Sequence, residues 1–215
     1  MKRPIYLTSP KRKEGTIPLP MIRFEIIADR IDYQGCDTLI FTSKEAVRSA
    51  ETIDPGWKSY PAVAIGPATA QRIRELGGRV LYQPRKFYGE NLAADLAELF
   101  REKKLLYLRP EKVSFDSKTF LKKAGIELKE QVIYRTVCRR YRPEAAPPDG
   151  AVIVFTSPST IHCFLKSFSW RASYRAVVIG RATLKHLPAG ARVAVAQEPS
   201  IDACIARAHA WEIQE

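Results

Sequence analysis

Apolar and polar positions along this chain follow two alternating periods. Short apolar runs rich in β-branched residues, which are typical of buried strands, are followed by stretches in which apolar residues recur every three or four positions, as in amphipathic helices. The predicted strands lie at residues 5–7, 38–41, 62–65, 79–82, 105–109, 152–155, 176–179 and 192–196. Strands that alternate with helices in this way predict an α/β fold with parallel sheets.

Helices are predicted after most of these strands, at residues 43–53, 67–76, 91–103 and 118–124 and from residue 200 onward. In the first of them, Ala46, Val47, Ala50 and Ile53 fall on one face, which would pack on a sheet. The segment 8–20, "TSPKRKEGTIPLP", shows no helical pattern, so the first crossover looks shortened. The segment 141–150, "YRPEAAPPDG", is rich in proline and therefore predicts a linker.

Two segments of the chain resemble each other. "FTSKEAVRSA" and "FTSPSTIHCF" each close a predicted strand and open a predicted helix, and "AVAIGPATAQRI" has a counterpart in "AVVIGRATLKHL". The offset is nearly constant: 114 positions from Phe41 to Phe155, 114 from Ala62 to Ala176, and 113 from Arg79 to Arg192. We infer two similar α/β units.

The repeated segments end at the edge of a parallel sheet where ligands usually bind. This edge carries the carboxyl ends of the strands and the amino termini of the following helices, whose first N–H groups are unpaired. Hydroxyl residues and glycines stand at these helix starts: Thr42, Ser43, Ser157, Ser159, Gly66, Thr69, Gly180 and Thr183. They fit two roles, simple helix capping and ligand binding, and the sequence leaves both open.

The charge of the chain favours an anionic ligand. Composition is that of an ordinary globular protein, 46% hydrophobic and 27% charged, but the formal net charge is +12. Nucleic acid, an anionic membrane and a small polyanion all fit this charge. Apart from one short run at residues 11–13, the basic residues are scattered, which argues against a basic tail or a single recognition helix for nucleic acid. No apolar run approaches the ~20 residues that cross a bilayer.

Cysteine and histidine usage predicts neither a disulfide nor a metal site. The four cysteines form no Cys-x-x-Cys pair, so we expect small buried apolar residues in a reducing compartment, and the three histidines lack the spacing of metal ligands. The amino-terminal segment does not have the pattern of a secretory signal. We therefore expect a cytoplasmic protein without a metal or cofactor.

Seven segments together resemble the uroporphyrinogen-III synthase family. They are "LIFTSKEAV", "AIGPATAQRIRELGG", "YGENLAADL", "EQVIYRTV", "VIVFTSPSTI", "VIGRATLKHL" and "VAVAQEPSIDAC", in the order found in that family. The resemblance implies two parallel-sheet α/β domains joined by a two-stranded linker, with a cleft between them. It places residues 1–24 and 142–215 in one discontinuous domain, residues 33–131 in the other, and the linker strands at 25–32 and 132–141.

The resemblance also implies the functional residues. Tyr134, in "VIYRT", corresponds to the family's candidate proton donor. Substrate binding is expected at Thr42, Ser43, Lys44, Gly66, Pro67, Ala68, Thr69, Tyr88, Gly89, Ser157, Ser159, Gly180, Arg181 and Thr183. After "LLYLRP" the chain departs from the family's usual Arg-Gly segment, so no catalytic basic residue is expected there.

The implied activity is that of a cyclising lyase. Hydroxymethylbilane, a polyanion, would lose its terminal hydroxyl and close into uroporphyrinogen III with inversion of ring D. The implied protein is a monomer that needs no cofactor, binds neither nucleic acid nor membrane, and makes transient contact with the preceding enzyme, hydroxymethylbilane synthase. The alternative is a two-lobed binding protein for an anionic metabolite, without catalysis.

Overall fold

The computed structural model describes residues 3–213 and contains eleven strands and seven α-helices in that range. The strands are β1 (Ile5–Leu7), β2 (Ile17–Pro18), β3 (Ile22–Ile26), β4 (Thr38–Phe41), β5 (Pro61–Ala64), β6 (Arg79–Tyr82), β7 (Leu105–Pro110), β8 (Leu128–Cys138), β9 (Val152–Phe155), β10 (Arg175–Val178) and β11 (Arg192–Val195). The helices are α1 (Lys44–Ile53), α2 (Pro67–Glu75), α3 (Gly89–Leu99), α4 (Ser117–Lys123), α5 (Pro158–Ser167), α6 (Arg181–Leu184) and α7 (Ile201–Ile213).

The predicted elements agree closely with these bounds. All eight predicted strands are present, with ends within one residue of the prediction. The largest error is at α3, which starts two residues earlier than predicted and ends at Leu99 instead of Lys103. The cause is the run of charged residues 101–104, which is exposed and has no apolar side chain to bury against the sheet.

The chain divides into two compact units. The discontinuous unit comprises the residues up to Arg23 and those from Thr136 onward, and the continuous unit comprises Phe24–Arg135. The division falls inside β3 and inside β8, and β8 starts at Leu128, within the range expected for the inserted domain. The domain bounds implied by the family resemblance, with separate linker strands, stay a prediction.

The discontinuous unit is built on a five-stranded sheet with the order β11-β10-β9-β1-β2, in which every pair is parallel. All four residues of β9 and of β10 are buried, as expected for central strands of a parallel sheet covered on both faces. The link from β1 to β2 contains no helix, in agreement with the shortened first crossover.

The continuous unit is built on a six-stranded sheet with the order β3-β8-β7-β4-β5-β6. Strand β4 lies between β5 and β7 and is parallel to both, and β8 is parallel to β7. All four β4 residues are buried, and α1 follows directly after Ser43. We call the junction between a strand and the helix that follows it a corner, so the β4 corner lies between Phe41 and α1. The strand order brings β8, which carries Tyr134, within two strands of this corner.

The internal repeat extends to the strand register. In the continuous unit Phe41 pairs with Ala64, and in the discontinuous unit Phe155 pairs with Val178, so both partners are shifted by 114 positions. The next hydrogen bond is also repeated, because the N–H of Ile65 donates to the Phe41 carbonyl and that of Ile179 to the Phe155 carbonyl, each at 3.0 Å. The sequence repeat therefore corresponds to a repeated pair of strands with the same geometry.

The cysteine expectation is wrong for one pair. Cys138, the last residue of β8, and Cys163, in α5, form a disulfide, with Cα atoms 5.1 Å apart and a sequence separation of 25. Such pairing depends on how a strand end meets a helix, which spacing alone does not show. Cys204 is fully buried, as expected, and Cys36 is half-buried.

No helix within residues 3–213 is both long enough and apolar enough to cross a membrane.

The packing of Gly78 gives the first testable prediction. A Cβ at this position would lie 2.5 Å from Cη2 and Cζ3 of the fully buried Trp57 and 3.0 Å from Ile73 Cγ2. We expect Gly78→Ala to lower the free energy of unfolding by about 2 kcal/mol, because neither neighbour can move away in a packed core. Chemical denaturation monitored by circular dichroism measures this loss.

A second substitution serves as the control for Gly78→Ala. Trp57→Phe removes both clashing ring atoms, so the added alanine methyl should cost less in the Trp57→Phe background than in the native one. If the alanine costs the same in both backgrounds, the contact with Trp57 is not the cause.

Candidate functional site

Two hydroxyls at the β4 corner are hydrogen-bonded to two tyrosines. Thr42 Oγ1 is 2.7 Å from the Tyr107 hydroxyl, and Ser43 Oγ is 2.8 Å from the Tyr134 hydroxyl. Tyr107 lies on β7 and Tyr134 on β8, so successive strands of the sheet supply the two rings. Ser43 also caps α1, since its Oγ accepts the N–H of Ala46 at 2.9 Å. The Ser43 side chain therefore both caps a helix and contacts the candidate proton donor.

Tyr134 is buried and un-ionised. Its side chain is only 4% exposed, and the ring of Phe24 packs edge-on against it, with centroids 5.9 Å apart. Burial raises the pKa of Tyr134 to about 12, although the hydrogen bond from Ser43 opposes the shift. At neutral pH the phenol holds its proton, and among the described residues Ser43 Oγ is the group within hydrogen-bonding distance of its hydroxyl.

The first turn of α1 carries a carboxylate close to this pair. Glu45 is half-buried, and burial raises the pKa of its carboxyl, while the nearby Arg48 and Arg72 act in the opposite direction. The Arg48 Nη1 lies 3.9 Å from Glu45 Oε2, a long ion pair. Lys44, the first residue of the helix, is half-buried.

The β5 corner presents backbone rather than side chains. Gly66 precedes α2 in extended conformation, and no side chain caps this helix. Pro67 and Ala68 are exposed, whereas Thr69 is 5% exposed. The ring of Phe87 covers Gly66, since a Cβ added there would lie 3.3 Å from Phe87 Cγ. The hydroxyl of Thr69 is thus buried, and its N–H donates to the Gly66 carbonyl at 3.1 Å. Because Pro67 has no N–H, the start of α2 offers a ligand mainly the amide of Ala68.

The β6 corner places an exposed ring at the start of α3. Tyr88 is 71% exposed and stands at the cap position, again without a side-chain cap bond. Gly89 is held under Phe115, because an added Cβ would lie 2.8 Å from Phe115 Cβ. Phe115 in turn packs on Phe120, with centroids 5.8 Å apart. Glycine is required at position 89 for this close approach.

The candidate residues of the discontinuous unit also lie at helix starts. Ser157 and Thr160 form a capping box: the Ser157 Oγ accepts the Thr160 N–H at 3.4 Å, and the Thr160 Oγ1 accepts the Ser157 N–H at 3.3 Å. The hydroxyl of Ser157 therefore serves the helix, while Ser159 is exposed. At the β10 corner, Gly180 precedes α6 with no atom within 4 Å of an added Cβ.

Two further residues complete the β10 corner. Arg181 is exposed, and Thr183 is 3% exposed. Among the contacts of the described residues, the hydroxyls at the two corners of this unit have no tyrosine partner, unlike Thr42 and Ser43 at the β4 corner.

The structure groups ten of the fifteen candidate residues in the continuous unit and five in the discontinuous unit. Sequence reasoning missed Tyr107, which reaches Thr42 only because β7 pairs with β4 across 65 positions. It also missed Thr160, for which a signal existed, since Ser157 and Thr160 have the spacing of a capping box.

Arg109 lies near the end of β7, just before the loop in which no catalytic basic residue was expected. Its Nε is 3.2 Å from Glu130 Oε2, and its Nη1 donates to the carbonyls of Pro110 and Glu111 at 3.0 and 3.2 Å. The ion pair ties β7 to β8, while the two bonds from Nη1 hold the guanidinium against the backbone that follows Arg109. Within the described residues, no group of three or more His, Cys, Asp or Glu side chains could hold a metal ion.

Comparison with known proteins gives a consistent result. The family model described as uroporphyrinogen-III synthase HemD matches residues 11–206. The chain is similar to the crystal structure of uroporphyrinogen-III synthetase from Helicobacter pylori 26695, with a TM-score of 0.84 and 25% identity, covering 97% of this chain and 99% of that one.

A second solved structure shares the fold at lower identity. It is a mutant uroporphyrinogen III synthase from the extremely thermophilic bacterium Thermus thermophilus, with a TM-score of 0.61 and 14% identity over 99% of both chains. A search of curated proteins found no match. The family model spans nearly the whole chain and includes both repeated corners and Tyr134, and the chain therefore belongs to the uroporphyrinogen-III synthase family.

Proposed function

We propose that this protein converts hydroxymethylbilane into uroporphyrinogen III and water, as a cyclising lyase of tetrapyrrole biosynthesis. The observation that carries the proposal, beside family membership, is the hydrogen bond between Ser43 and the un-ionised Tyr134 at the carboxyl end of β4. This bond supports a proton source at the edge of a parallel sheet where ligands usually bind.

The substrate's carboxylates are proposed to bind at helix starts. Neither α2 nor α3 has a side-chain cap, so the unpaired amides of their first turns can bind an anion. In α2 this leaves the N–H of Ala68, because Pro67 has none. Each helix dipole contributes roughly 0.3 to 1 kcal/mol toward a negative charge there. In the other unit, α6 starts in the same way after Gly180, and Arg181 adds a cation. The net charge of +12 supports the binding of a polyanion through long-range attraction.

The chemical step is the departure of the substrate's terminal hydroxyl. Tyr134 is too buried to contact a substrate over much of its surface, so we propose a relay in which Ser43 donates its proton to the leaving oxygen and receives one from Tyr134. The C–O bond breaks, water leaves, and an electrophilic azafulvene remains on the substrate. A phenol with a pKa of about 12 can protonate a leaving hydroxide, whose conjugate acid, water, is far weaker.

Ring closure follows without a further protein nucleophile. The pyrrole ring at the far end of the bilane attacks the azafulvene through its substituted carbon and forms a spiro intermediate. A bond of this intermediate breaks and forms again with ring D inverted. The closing pyrrole ring then loses a proton, and this proton returns to the Ser43–Tyr134 pair. The protein's role is to hold the two ends of the bilane in one geometry, and such positioning can lower the activation barrier by several kcal/mol.

Several finer points belong to the same proposal. We propose that the enzyme is a monomer in the cytoplasm, that it needs no cofactor, and that it meets hydroxymethylbilane synthase transiently to receive an unstable substrate. We also propose domain bounds of 1–24 with 142–215, and 33–131, with linker strands at 25–32 and 132–141.

The isomer of the product tests this function. Hydroxymethylbilane is supplied with and without protein, and the oxidised products are separated into type I and type III. We expect type III to dominate with the protein and type I to dominate without it. If type I also dominates with the protein, while the substrate still binds, the chain is an anion-binding protein and not a synthase.

A further inference from the structure

A basic groove lies at the opposite edge of the continuous unit's sheet from the candidate site. Its volume is about 1010 Å³, and it opens beside Leu105 and Leu128, the first residues of β7 and β8. Tyr134 is six positions further along β8, which corresponds to about 20 Å of extended strand. The walls are the loop of residues 101–104 and helix α4.

Most of the cations in this groove have no ion-pair partner. Among the described residues, no ion pair engages Arg101, Lys103, Lys104, Lys118 or Lys122, and all five are exposed. The remaining cation of the lining, Lys129, is paired with Asp32 at 2.8 Å, and the lining carboxylate of Glu130 is paired with Arg109. Glu102 and Glu127 are the other carboxylates, so the unpaired charge is clearly positive.

The lining excludes several kinds of ligand. It contains no Ser, Thr, Cys, His or Tyr, so it has no hydroxyl, thiol or imidazole group for catalysis, and no aromatic ring on which a nucleobase could stack. Its apolar residues Leu105, Ile126 and Leu128 are at most 5% exposed, so they provide no hydrophobic anchor. Recognition must therefore depend on charge.

The spacing of the cations favours an extended chain with carboxylates. Lys118 and Lys122 are four positions apart on α4, so their Cβ atoms are about 6 Å apart. In an extended peptide, side chains two positions apart lie on the same face and are separated by nearly the same distance, about 7 Å. Flexible lysines act as point charges and suit a row of separate carboxylates better than a planar, bidentate anion.

We propose that this groove, formed by the loop 101–104 and α4, binds an acidic segment of a partner protein with carboxylates at alternate positions. The interaction is expected to be fast and strongly dependent on salt, because exposed charges are screened beyond about 8 Å at physiological ionic strength. The inference does not depend on the proposed synthase activity, since none of its residues belongs to the candidate site.

Fluorescence anisotropy of a labelled peptide that alternates Glu and Ser over eight residues tests the proposal on the full chain at low salt. Lys118→Glu with Lys122→Glu should weaken binding by about tenfold or more. The matched control, Arg74→Glu with Lys166→Glu, changes the net charge equally at exposed helix positions outside the groove and should weaken binding by no more than about threefold.

Two results would overturn the proposal. Equal weakening in both variants means that binding follows the net charge and not the groove. The ligand is a phosphate compound if oligothymidylate or tripolyphosphate binds more tightly than the peptide and the groove variant loses that binding. If the α4 variant does not fold by circular dichroism, Lys103→Glu with Lys104→Glu, in a loop without helical structure, takes its place.

Discussion

Replacing Tyr134 by phenylalanine is expected to lower kcat for uroporphyrinogen III formation by about 10- to 100-fold, in the lower range of general acid catalysis. The ring and its contact with Phe24 are kept, while the hydroxyl that bonds Ser43 at 2.8 Å is lost. The loss of that bond should lower the free energy of unfolding by only about 1 kcal/mol. Steady-state kinetics and thermal melting measure the two effects.

Tyr107→Phe is the matched control. Tyr107 is as buried as Tyr134, each 4% exposed, and its hydroxyl bonds Thr42 at 2.7 Å, so the variant loses an equivalent hydrogen bond at the same corner. It should lose similar stability but little activity. If both variants lose activity and stability equally, Tyr134 is a packing residue and the relay is wrong.

The pH dependence of the wild-type enzyme supplies a further check. With the pKa of Tyr134 at about 12, the phenol stays protonated at neutral and mildly alkaline pH, so its ionisation should not reduce kcat in that range. The folded-state pKa lies above the ordinary value of 10.0, so this group stabilises the fold fully below pH 10 and loses that contribution as pH rises toward 12.

The relay also predicts how Ser43→Ala behaves. This variant removes the cap of α1 as well as the link to Tyr134, so we expect the activity loss of Tyr134→Phe together with about 1 kcal/mol of lost stability. In the double variant the two activity losses should not add, because either change interrupts the same path. Ser157→Ala, which removes a helix cap without a tyrosine partner, should cost stability with a smaller loss of activity.

Removing the Cys138–Cys163 disulfide is expected to lower the melting temperature by on the order of 10 °C. The bond closes a loop with a sequence separation of 25, and in the chain-entropy account such a cross-link stabilises by about 3 kcal/mol. It joins the end of β8 to the helix that begins at the Ser157 corner. Calorimetry of the wild type and of Cys138→Ser with Cys163→Ser measures the effect.

Thiol titration of the denatured chain establishes whether the bond is present. Without reductant, only Cys36 and Cys204 should react, and dithiothreitol should expose all four thiols and lower the melting temperature. Cys36→Ser is the control and should keep the full effect of dithiothreitol. Four reactive thiols in the untreated protein, or an unchanged melting temperature after reduction, would contradict the prediction.

Sequence periodicity predicted the strands because most of them, such as β4, β9 and β10, are short buried apolar runs. The edge strands β6 and β11 are partly exposed but keep apolar residues at alternate positions. The repeat was visible for the same reason: matched strands such as those ending at Phe41 and Phe155 keep both their apolar pattern and their offset. The prediction was less accurate at the end of α3, because exposed charged residues continue the helical pattern past Leu99 although they do not pack on the sheet. Strand β2 was missed because two residues are too few to carry a pattern.

The candidate site could be predicted only in part. Helix starts after strands are local features, so Ser43, Gly66, Ser157 and Gly180 were accessible from sequence, and the family resemblance added Tyr134. The partner of each hydroxyl was not accessible. Ser43 bonds Tyr134 across 91 positions, while its counterpart Ser157 bonds Thr160 within one helical turn.

By itself, therefore, the sequence determined the α/β class, the repeated corners, the basic charge and the residues that begin most of the helices, since these depend on near neighbours along the chain. Only the tertiary structure decided which hydroxyls meet tyrosines, which cysteines join, and that the loop 101–104 and α4 form one basic groove. Each of those depends on strand order and on side chains that are distant in sequence, and near-identical local patterns can have different partners when the neighbouring strands differ.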